Sequence, residues 1–210
     1  SLPKKKAVRA LTKFMSLHPV NIEQKIEIIV EHFRRSVKHR LGGRAKAMVV
    51  TSSRLHAVRY KLAFEDYIRE KGYTDIRPLV AFSGTVRDPD TGIEYTEPGM
   101  NIDIVTSKTI SEAALPARFG SPDYQVLLVA NKYQTGFDQP LLHTMYVDKR
   151  LDGVQAVQTL SRLNRRIPGK DAPFVLDFVN DTENILRAFK PYYDKTELAE
   201  ASDPSKLETL

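Results

Sequence analysis

The sequence predicts an α/β domain of three layers, in which helices cover both faces of a mainly parallel β-sheet. Five short apolar runs, typical of buried strands, alternate with helical segments along the chain. Strands that alternate with helices are joined by crossover connections, which make neighbouring strands parallel. The chain has 210 residues and is 41% hydrophobic, enough to bury one large core.

The domain is expected to begin with a long helix. A basic extension over residues 1–20 precedes it, and a capping box formed by Asn21 and Gln24 predicts a helix over 21–41, stopped by two glycines. The domain proper is expected over 21–195, followed by a flexible tail over 196–210.

The strands and the remaining helices follow in order. The apolar runs that predict strands are 47–50, 79–82, 124–130, 144–147 and 174–179. The segments that predict helices are 54–72, a short one at 107–114, and one that starts near Gly153 and ends before Pro168. The polar stretch 85–101 predicts an irregular excursion.

Composition narrows the function classes. The net charge of +6 favours a polyanionic partner, although many basic proteins bind none. The absence of cysteine excludes disulfides, thiolate metal sites and a cysteine nucleophile. No apolar run approaches the roughly 18 residues needed to cross a membrane, and the start lacks the apolar stretch of a signal peptide. A cytoplasmic location is expected.

Two kinds of catalytic site are not expected. The phosphate-cradling pattern G-x-x-x-x-G-K-[ST] is absent, since Pro168-Gly169-Lys170 lacks both the first glycine and the hydroxyl residue. The histidines show no metal-ligand spacing, so no metal site is expected. The chain is therefore expected to lack a nucleotide cradle of its own.

The helix from Gly153 carries the most informative pattern. Asp152 as N-cap and Gln155 three residues later predict its start. Its polar positions, which span roughly 120° at helical spacing, are Gln155, Gln158, Thr159, Arg162, Arg165 and Arg166, while Val154, Ala156, Val157, Leu160 and Leu163 form the apolar side. Taken alone, the pattern has two interpretations: a solvated surface helix, or a pair of arginines that binds a phosphate.

Three segments together resemble the second RecA-like domain of superfamily 2 helicases. A strand ends in Thr51-Ser52-Ser53-Arg54, and residues 131–140 read Asn-Lys-Tyr-Gln-Thr-Gly-Phe-Asp-Gln-Pro, similar to motif V with its Thr-Gly-x-Asp core. Residues 158–165 resemble motif VI, Q-x-x-G-R-x-x-R, with Ser161 in place of the glycine. The resemblance implies a three-layer RecA-like fold.

Within this superfamily, the sequence most resembles the motor (R) subunit of type I restriction endonucleases. The matching segments are Leu-His-Pro…Asn-Ile-x-Gln-Lys at 17–25, Thr-Gly-Phe-Asp at 135–138, Leu-Ser-Arg-Leu-Asn-Arg at 160–165 and Asp-Phe-Val-Asn-Asp at 177–181. The resemblance implies that ATP and Mg²⁺ are bound mainly by a first RecA-like domain. Arg162 and Arg165 would then act as arginine fingers, with Gly136, Asp138 and Gln158 lining the same cleft.

The resemblance also implies contacts with the DNA backbone. The residues expected to make them are Thr51, Ser52, Ser53, Ser83, Gly84 and Thr135, assisted by Arg54 and Lys132. The implied partners are double-stranded DNA, the first RecA-like domain and a nuclease domain of the parent chain, and modification and specificity subunits. The implied function is the second motor lobe of a DNA translocase, inactive by itself. Two alternatives stay open: a lobe of a chromatin-remodeller-like or repair helicase, and a non-enzymatic nucleic-acid-binding module.

Overall fold

The computed structural model describes residues 18–133, 137–180 and 197–200. Its main sheet is entirely parallel, in the strand order β2-β5-β1-β6-β7-β8. These strands are β1 (Lys46–Thr51), β2 (Pro78–Ala81), β5 (Val126–Val129), β6 (Leu142–Asp148), β7 (Phe174–Asp177) and β8 (Glu197–Glu200). β3 (Thr85–Arg87) and β4 (Glu94–Thr96) form a separate antiparallel pair. The predicted parallel sheet is confirmed.

Helices cover both faces of the sheet. They are α1 (Pro19–His32), α2 (Arg54–Lys71), α3 (Glu97–Met100), α4 (Leu115–Gly120) and α5 (Gly153–Leu160). Alternate residues of β1 enter two hydrophobic clusters: Val49 packs with α1 and α2, whereas Val50 packs with α4 and α5. Because successive side chains of a strand point to opposite faces, this division confirms the three layers.

The first helix differs from its prediction at the start. It begins at Pro19, and the Nδ1 atom of His18 accepts a hydrogen bond from the Val20 amide at 3.3 Å. Proline is preorganised for the first helical position, so it displaces Asn21 from the predicted capping role. A π-helical turn, Phe33–Val37, follows α1, and Leu41 and Gly42 leave the helical region with φ of 52° and 64°. The predicted extension up to residue 17 lies outside the described residues.

The stretch 85–101 is ordered and protects the edge of the sheet. Strand β2 is an edge strand, and the Asn101 side chain pairs with both backbone groups of Val80, at 2.9 Å to its amide and 2.7 Å to its carbonyl. The β3–β4 hairpin is tied to α2 by the Arg59–Asp88 ion pair at 2.9 Å. The prediction of an irregular excursion was wrong, since the stretch forms a hairpin and a short helix. The sequence did not indicate them, because polar side chains rather than apolar packing hold them against the sheet edge.

Two further elements differ from prediction. The helix expected at 107–114 begins instead at Leu115, since Pro116 occupies the first helical turn and Ser107 has a positive φ of 58°. Within the expected tail, β8 pairs in parallel with β7. Among the described residues, no helix has both the length and the apolar character that crossing a membrane requires.

Candidate functional site

The candidate residues gather at one edge of the sheet. β1 and β5 are parallel neighbours, and Val50 lies opposite Val129 near their carboxyl ends. The loop that leaves β1 begins with Ser52, and the described residues after β5 include Asn131 to Tyr133 and Phe137 to Gln139. In open α/β sheets ligands bind at this edge, because the loops of several strands meet there.

Helix α5 begins as predicted but ends early. The Gln155 amide donates a 2.8 Å hydrogen bond to Oδ1 of the N-cap Asp152. After Leu160 the chain tightens into a 3₁₀ turn, Ser161–Asn164, and Arg165 is extended with ψ of 118°. The prediction of one helix through Arg166 was wrong. One local cause is visible: the Ser161 hydroxyl donates to the Gln158 carbonyl at 2.8 Å, in competition with the helical bonding pattern.

The exposure of two residues of α5 also differs from the predicted pattern. Thr159, placed on the polar arc, is buried, with 1% of its surface exposed. Val154, placed on the apolar side, is 69% exposed in the first turn of the helix. Gln158 is exposed as expected. Helical spacing therefore placed Ala156, Gln158 and Leu160 correctly and failed near both ends of the helix, at Val154 and Thr159.

The 3₁₀ turn does not separate the two arginines from the loop after β5. Arg162 Nη1 donates to the Phe137 carbonyl at 3.3 Å. Arg165 Nε lies 2.9 Å from Asp138 Oδ1, and these two side chains are 61% and 57% exposed. Both guanidinium groups thus contact adjacent residues of the same loop.

Lys170 joins the same two segments and is not evident from the sequence motifs. Its Nζ atom donates to the carbonyls of Leu163 at 2.8 Å, Arg165 at 2.9 Å and Pro140 at 3.2 Å. Burial lowers the pKa of Lys170 to about 8. A lysine soon after a helix end commonly bonds the last carbonyls, and that signal was present in the sequence.

The loop after β5 has an unusual backbone. Asn131 and Tyr133 have φ of 56° and 62°, in the left-handed region that non-glycine residues seldom adopt. The Asn131 side chain accepts a 2.9 Å hydrogen bond from Lys149, and the Tyr133 ring packs on Phe137 with centroids 4.8 Å apart. Thr135 and Gly136, two of the expected site residues, lie outside the described residues.

Two of the expected DNA contacts are used inside the protein instead. Thr51 is fully buried, and its hydroxyl donates to the Val129 carbonyl at 2.9 Å because it lies within the central strand. Lys132 binds Glu97 at 2.8 Å and Glu112 at 2.9 Å, with 17% of its side chain exposed. We therefore remove both from the set of candidate DNA contacts.

The other expected DNA contacts that the structure describes come together where the chain leaves β1 and β2. Ser53 caps α2, accepting a 3.2 Å hydrogen bond from the His56 amide. Arg54 Nη1 reaches across to the Ser83 carbonyl at 3.0 Å. Gly84 has φ of 72°, and a Cβ atom there would lie 3.2 Å from Arg54 Nη1, so this close approach favours glycine. Ser52 and Ser83 are exposed beside it.

The site has the chemistry of an anion site. Guanidinium groups offer planar donor pairs that match phosphate oxygens, and Arg165 is exposed at the edge of the sheet. Within residues 18–133 and 137–180, no group of three histidine, aspartate or glutamate side chains is placed to hold a metal ion.

The chain is similar to restriction enzyme subunits over most of its length. Residues 105–180 match the family model described as type I restriction enzyme subunit R domain 3. The putative type I restriction enzyme MjaVIIP endonuclease subunit of Methanocaldococcus jannaschii is 27% identical over 172 residues, covering 80% of this chain and 16% of that protein. The HindI endonuclease subunit of Haemophilus influenzae is 27% identical over 179 residues, covering 83% and 16% respectively.

A solved structure of the S. cerevisiae Dbp5 C-terminal domain, bound to Gle1 and IP6, aligns over 90% of this chain and 89% of that chain. Its TM-score is 0.49 at 14% identity, too distant to support an argument about function. The present chain spans 16% of the length of the M. jannaschii relative. The sequence comparisons confirm the expected resemblance: the chain is similar to the endonuclease subunits of type I restriction enzymes, and residues 105–180 match the model of domain 3 of their R subunit.

Proposed function

We propose that this chain is the second motor lobe of an ATP-dependent DNA translocase, within the R subunit of a type I restriction endonuclease. The observation that carries the proposal is the meeting of two segments distant in sequence. Arg162 and Arg165 contact Phe137 and Asp138 at the carboxyl edge of the sheet. An arginine pair beside such a loop suits a triphosphate bound between two lobes.

ATP with Mg²⁺ would be held mainly by the first RecA-like domain, since this sequence lacks the phosphate-cradling pattern. This chain would contribute Arg162 and Arg165 to the terminal phosphate, with Gly136, Asp138 and Gln158 beside the nucleotide. Asp138 holds the Arg165 guanidinium through one exposed ion pair. A phosphate arriving at the cleft can replace that carboxylate, because the exposed pair is weak.

Hydrolysis would then depend on the closing of the two lobes. Negative charge develops on the transferred phosphoryl group, and guanidinium groups supplied from a second lobe stabilise it only in the closed state. Closure and reopening would move the protein along DNA. Arginines on a separate lobe therefore link turnover to motion.

DNA would be bound through its backbone at the loops after β1 and β2. Ser52 and Ser83 are exposed there, and Arg54 spans the two loops. Thr135 belongs to the same proposal, with Ser53 and Gly84 shaping the surface. Backbone contacts carry no base readout, so they permit movement along any sequence. The proposed partners are double-stranded DNA, the first RecA-like and nuclease domains, and modification and specificity subunits, in the cytoplasm.

The arginine assignment is tested in an R subunit that contains this chain. Arg162→Ala and Arg165→Ala should each lower ATP turnover by about 10³-fold, the low end of the effect of an arginine finger. DNA affinity at fixed salt should stay within about two-fold, because neither residue belongs to the DNA-contacting loops. Arg166→Ala, at an exposed neighbouring arginine, is the matched control and should leave turnover near wild type.

Two outcomes would contradict the proposal. Unchanged turnover in both alanine variants would refute the finger assignment. Salt-dependent DNA binding that ignores nucleotide, even with the first lobe joined, would indicate a non-enzymatic nucleic-acid-binding module instead.

A further inference from the structure

Glu97 is a buried carboxylate that contacts two of the site's loops. Its side chain is 1% exposed. Oε2 accepts a hydrogen bond from the Phe82 amide at 2.8 Å and another from Lys132 Nζ at 2.8 Å, while Oε1 accepts from Lys132 at 3.0 Å. One carboxylate therefore joins the end of β2 to the loop after β5.

A buried charge of this kind is costly unless it is fully bonded. Burial raises the pKa of Glu97, and the hydrogen bonds from Lys132 and Phe82 oppose that effect. Burial also disfavours the Lys132 ammonium, but its hydrogen bonds with Glu97 and Glu112 outweigh this and raise its pKa. Removing either member would leave the other poorly bonded in a dry environment.

The two contacts lie directly beside the loops that carry the proposed function. Phe82 immediately precedes Ser83, at the start of the loop assigned to the DNA backbone. Lys132 lies between Asn131 and Tyr133, whose positive φ angles mark a strained backbone. A strained loop adopts one conformation only when its surroundings hold it, and Lys132 supplies that restraint through Glu97.

Glu97 is itself held firmly. It opens α3, whose N-cap Thr96 accepts a 3.2 Å hydrogen bond from the Gly99 amide. Four residues later, Asn101 binds both backbone groups of Val80. Because α3 is fixed to the edge of β2, a displacement of the β5 loop must either break the Glu97–Lys132 pair or move the end of β2.

We propose that Glu97 is a positioning residue that couples the DNA-contacting loop after β2 to the nucleotide-side loop after β5. The proposal rests on the motor function proposed above. DNA bound at Ser83 and Gly84 shifts the Phe82 backbone, and the carboxylate transmits that shift to Lys132 and the loop that contacts Arg162 and Arg165. Glu97 acts through other residues and contacts neither DNA nor nucleotide.

The link itself is tested by amide hydrogen exchange in the 210-residue chain. Glu97→Gln and Lys132→Met should each speed exchange at the Phe82 amide by about ten-fold, the effect of weakening one charge-assisted hydrogen bond. The Val80 amide is the internal reference, because Asn101 rather than Glu97 binds it. Equal acceleration at both amides would indicate general unfolding and overturn the specific link, as would unchanged exchange at Phe82.

The coupling is tested in the complete R subunit, as the ratio of DNA-stimulated to basal ATP turnover. Glu97→Gln should lower that ratio about ten-fold and leave basal turnover within about two-fold, if the bond weakened in the exchange experiment carries the coupling. Glu112→Gln is the matched control, because Glu112 binds the same lysine but is 54% exposed, whereas the Phe82 amide donates to Glu97.

The outcomes separate the two proposals. A wild-type subunit whose ATP turnover ignores DNA would overturn the motor function and, with it, the coupling. A wild-type subunit that DNA stimulates, together with a Glu97→Gln variant that is stimulated equally, would overturn the coupling alone.

Discussion

Arg165 Nε and Asp138 Oδ1 lie 2.9 Å apart, and both side chains are more than half exposed. An ion pair in such a position contributes little to folding, because water competes for both charges and screens their attraction. The pair joins two segments separated by 27 positions in the sequence. Its place at the carboxyl edge of the sheet makes it available to a ligand.

Asp138→Asn should therefore leave the free energy of unfolding within about 0.5 kcal/mol of wild type, the scale of exposed pairs. Asp88→Asn is the comparison, since Asp88 is 7% exposed and pairs with a half-buried Arg59. That change should cost about 1–3 kcal/mol, because it removes the bidentate partner of the half-buried Arg59 guanidinium and leaves only the exposed Asp90 beside it. Urea unfolding measures both values. A large loss of stability in Asp138→Asn would show a structural pair rather than a ligand site.

The 210-residue chain should hydrolyse no ATP above background, with or without DNA. The physical reason is that the sequence lacks the phosphate-binding loop pattern. The chain can offer arginines to the terminal phosphate, but it has no loop that binds the rest of the triphosphate. Phosphate release measured with purified chain tests this. Addition of the first RecA-like domain of the same subunit is the positive control. Robust turnover by the chain alone would contradict the division of labour between two lobes.

Mutation of Thr51 should affect stability, whereas mutation of Arg54 should affect DNA binding, although the two residues are only three positions apart. Thr51→Val should lower the free energy of unfolding by about 1–3 kcal/mol, because it leaves the Val129 carbonyl without its donor in a buried strand. It should leave DNA affinity unchanged. Arg54→Ala should weaken DNA binding and lower the salt slope by about 1. Affinity measured over a range of salt concentrations decides between this and a direct role for Thr51.

His32 should make the fold less stable in mild acid. It is buried against Tyr146, with a 2.8 Å hydrogen bond, and burial together with Arg35 and His143 lowers its pKa from 6.5 to about 4. The unfolded chain therefore binds a proton near pH 6.5 that the folded chain binds only near pH 4. Its contribution to stability is complete above pH 6.5 and is lost as the pH falls towards 4.

From this difference we expect a loss of about 2 kcal/mol between pH 7 and pH 5 from His32 alone. Unfolding at the two pH values, in wild type and His32→Gln, measures it, and the variant should lose correspondingly less on acidification. His39→Gln is the control, because that side chain is exposed. An unchanged pH dependence in His32→Gln would contradict the assignment. His143, whose pKa burial also lowers, acts in the same direction.

Much of the architecture could be predicted because its signals are local. Runs such as 47–50 and 174–179 are apolar on both faces, which is the pattern of a strand buried between two layers of helices. Gly72 ends α2 in the left-handed conformation and Asp152 caps α5, as their residue types indicate. These features depend on neighbours within a few positions, so the amino-acid sequence contains them.

The end of α5 and the stretch 85–101 could not be predicted in the same way. The bonds that hold them reach across the fold: Lys170 binds the Pro140 carbonyl 30 positions away, and Lys132 binds Glu97 35 positions away. Neither contact leaves a periodic pattern in the sequence. Strand β8 shows the same effect, since a short mixed segment becomes a strand by pairing with the free edge of β7.

The sequence by itself therefore determined the order of the five central strands and of the long helices between them, and the family resemblance, because residue type and spacing encode local geometry and motifs. Only the tertiary structure decided which polar side chains face solvent. It places Thr51 and Lys132 in internal bonds and leaves Asp138 and Arg165 exposed. The physical reason is that burial is a property of the assembled layers, and a hydroxyl or an ammonium group carries no local sign of the partner that the fold brings to it.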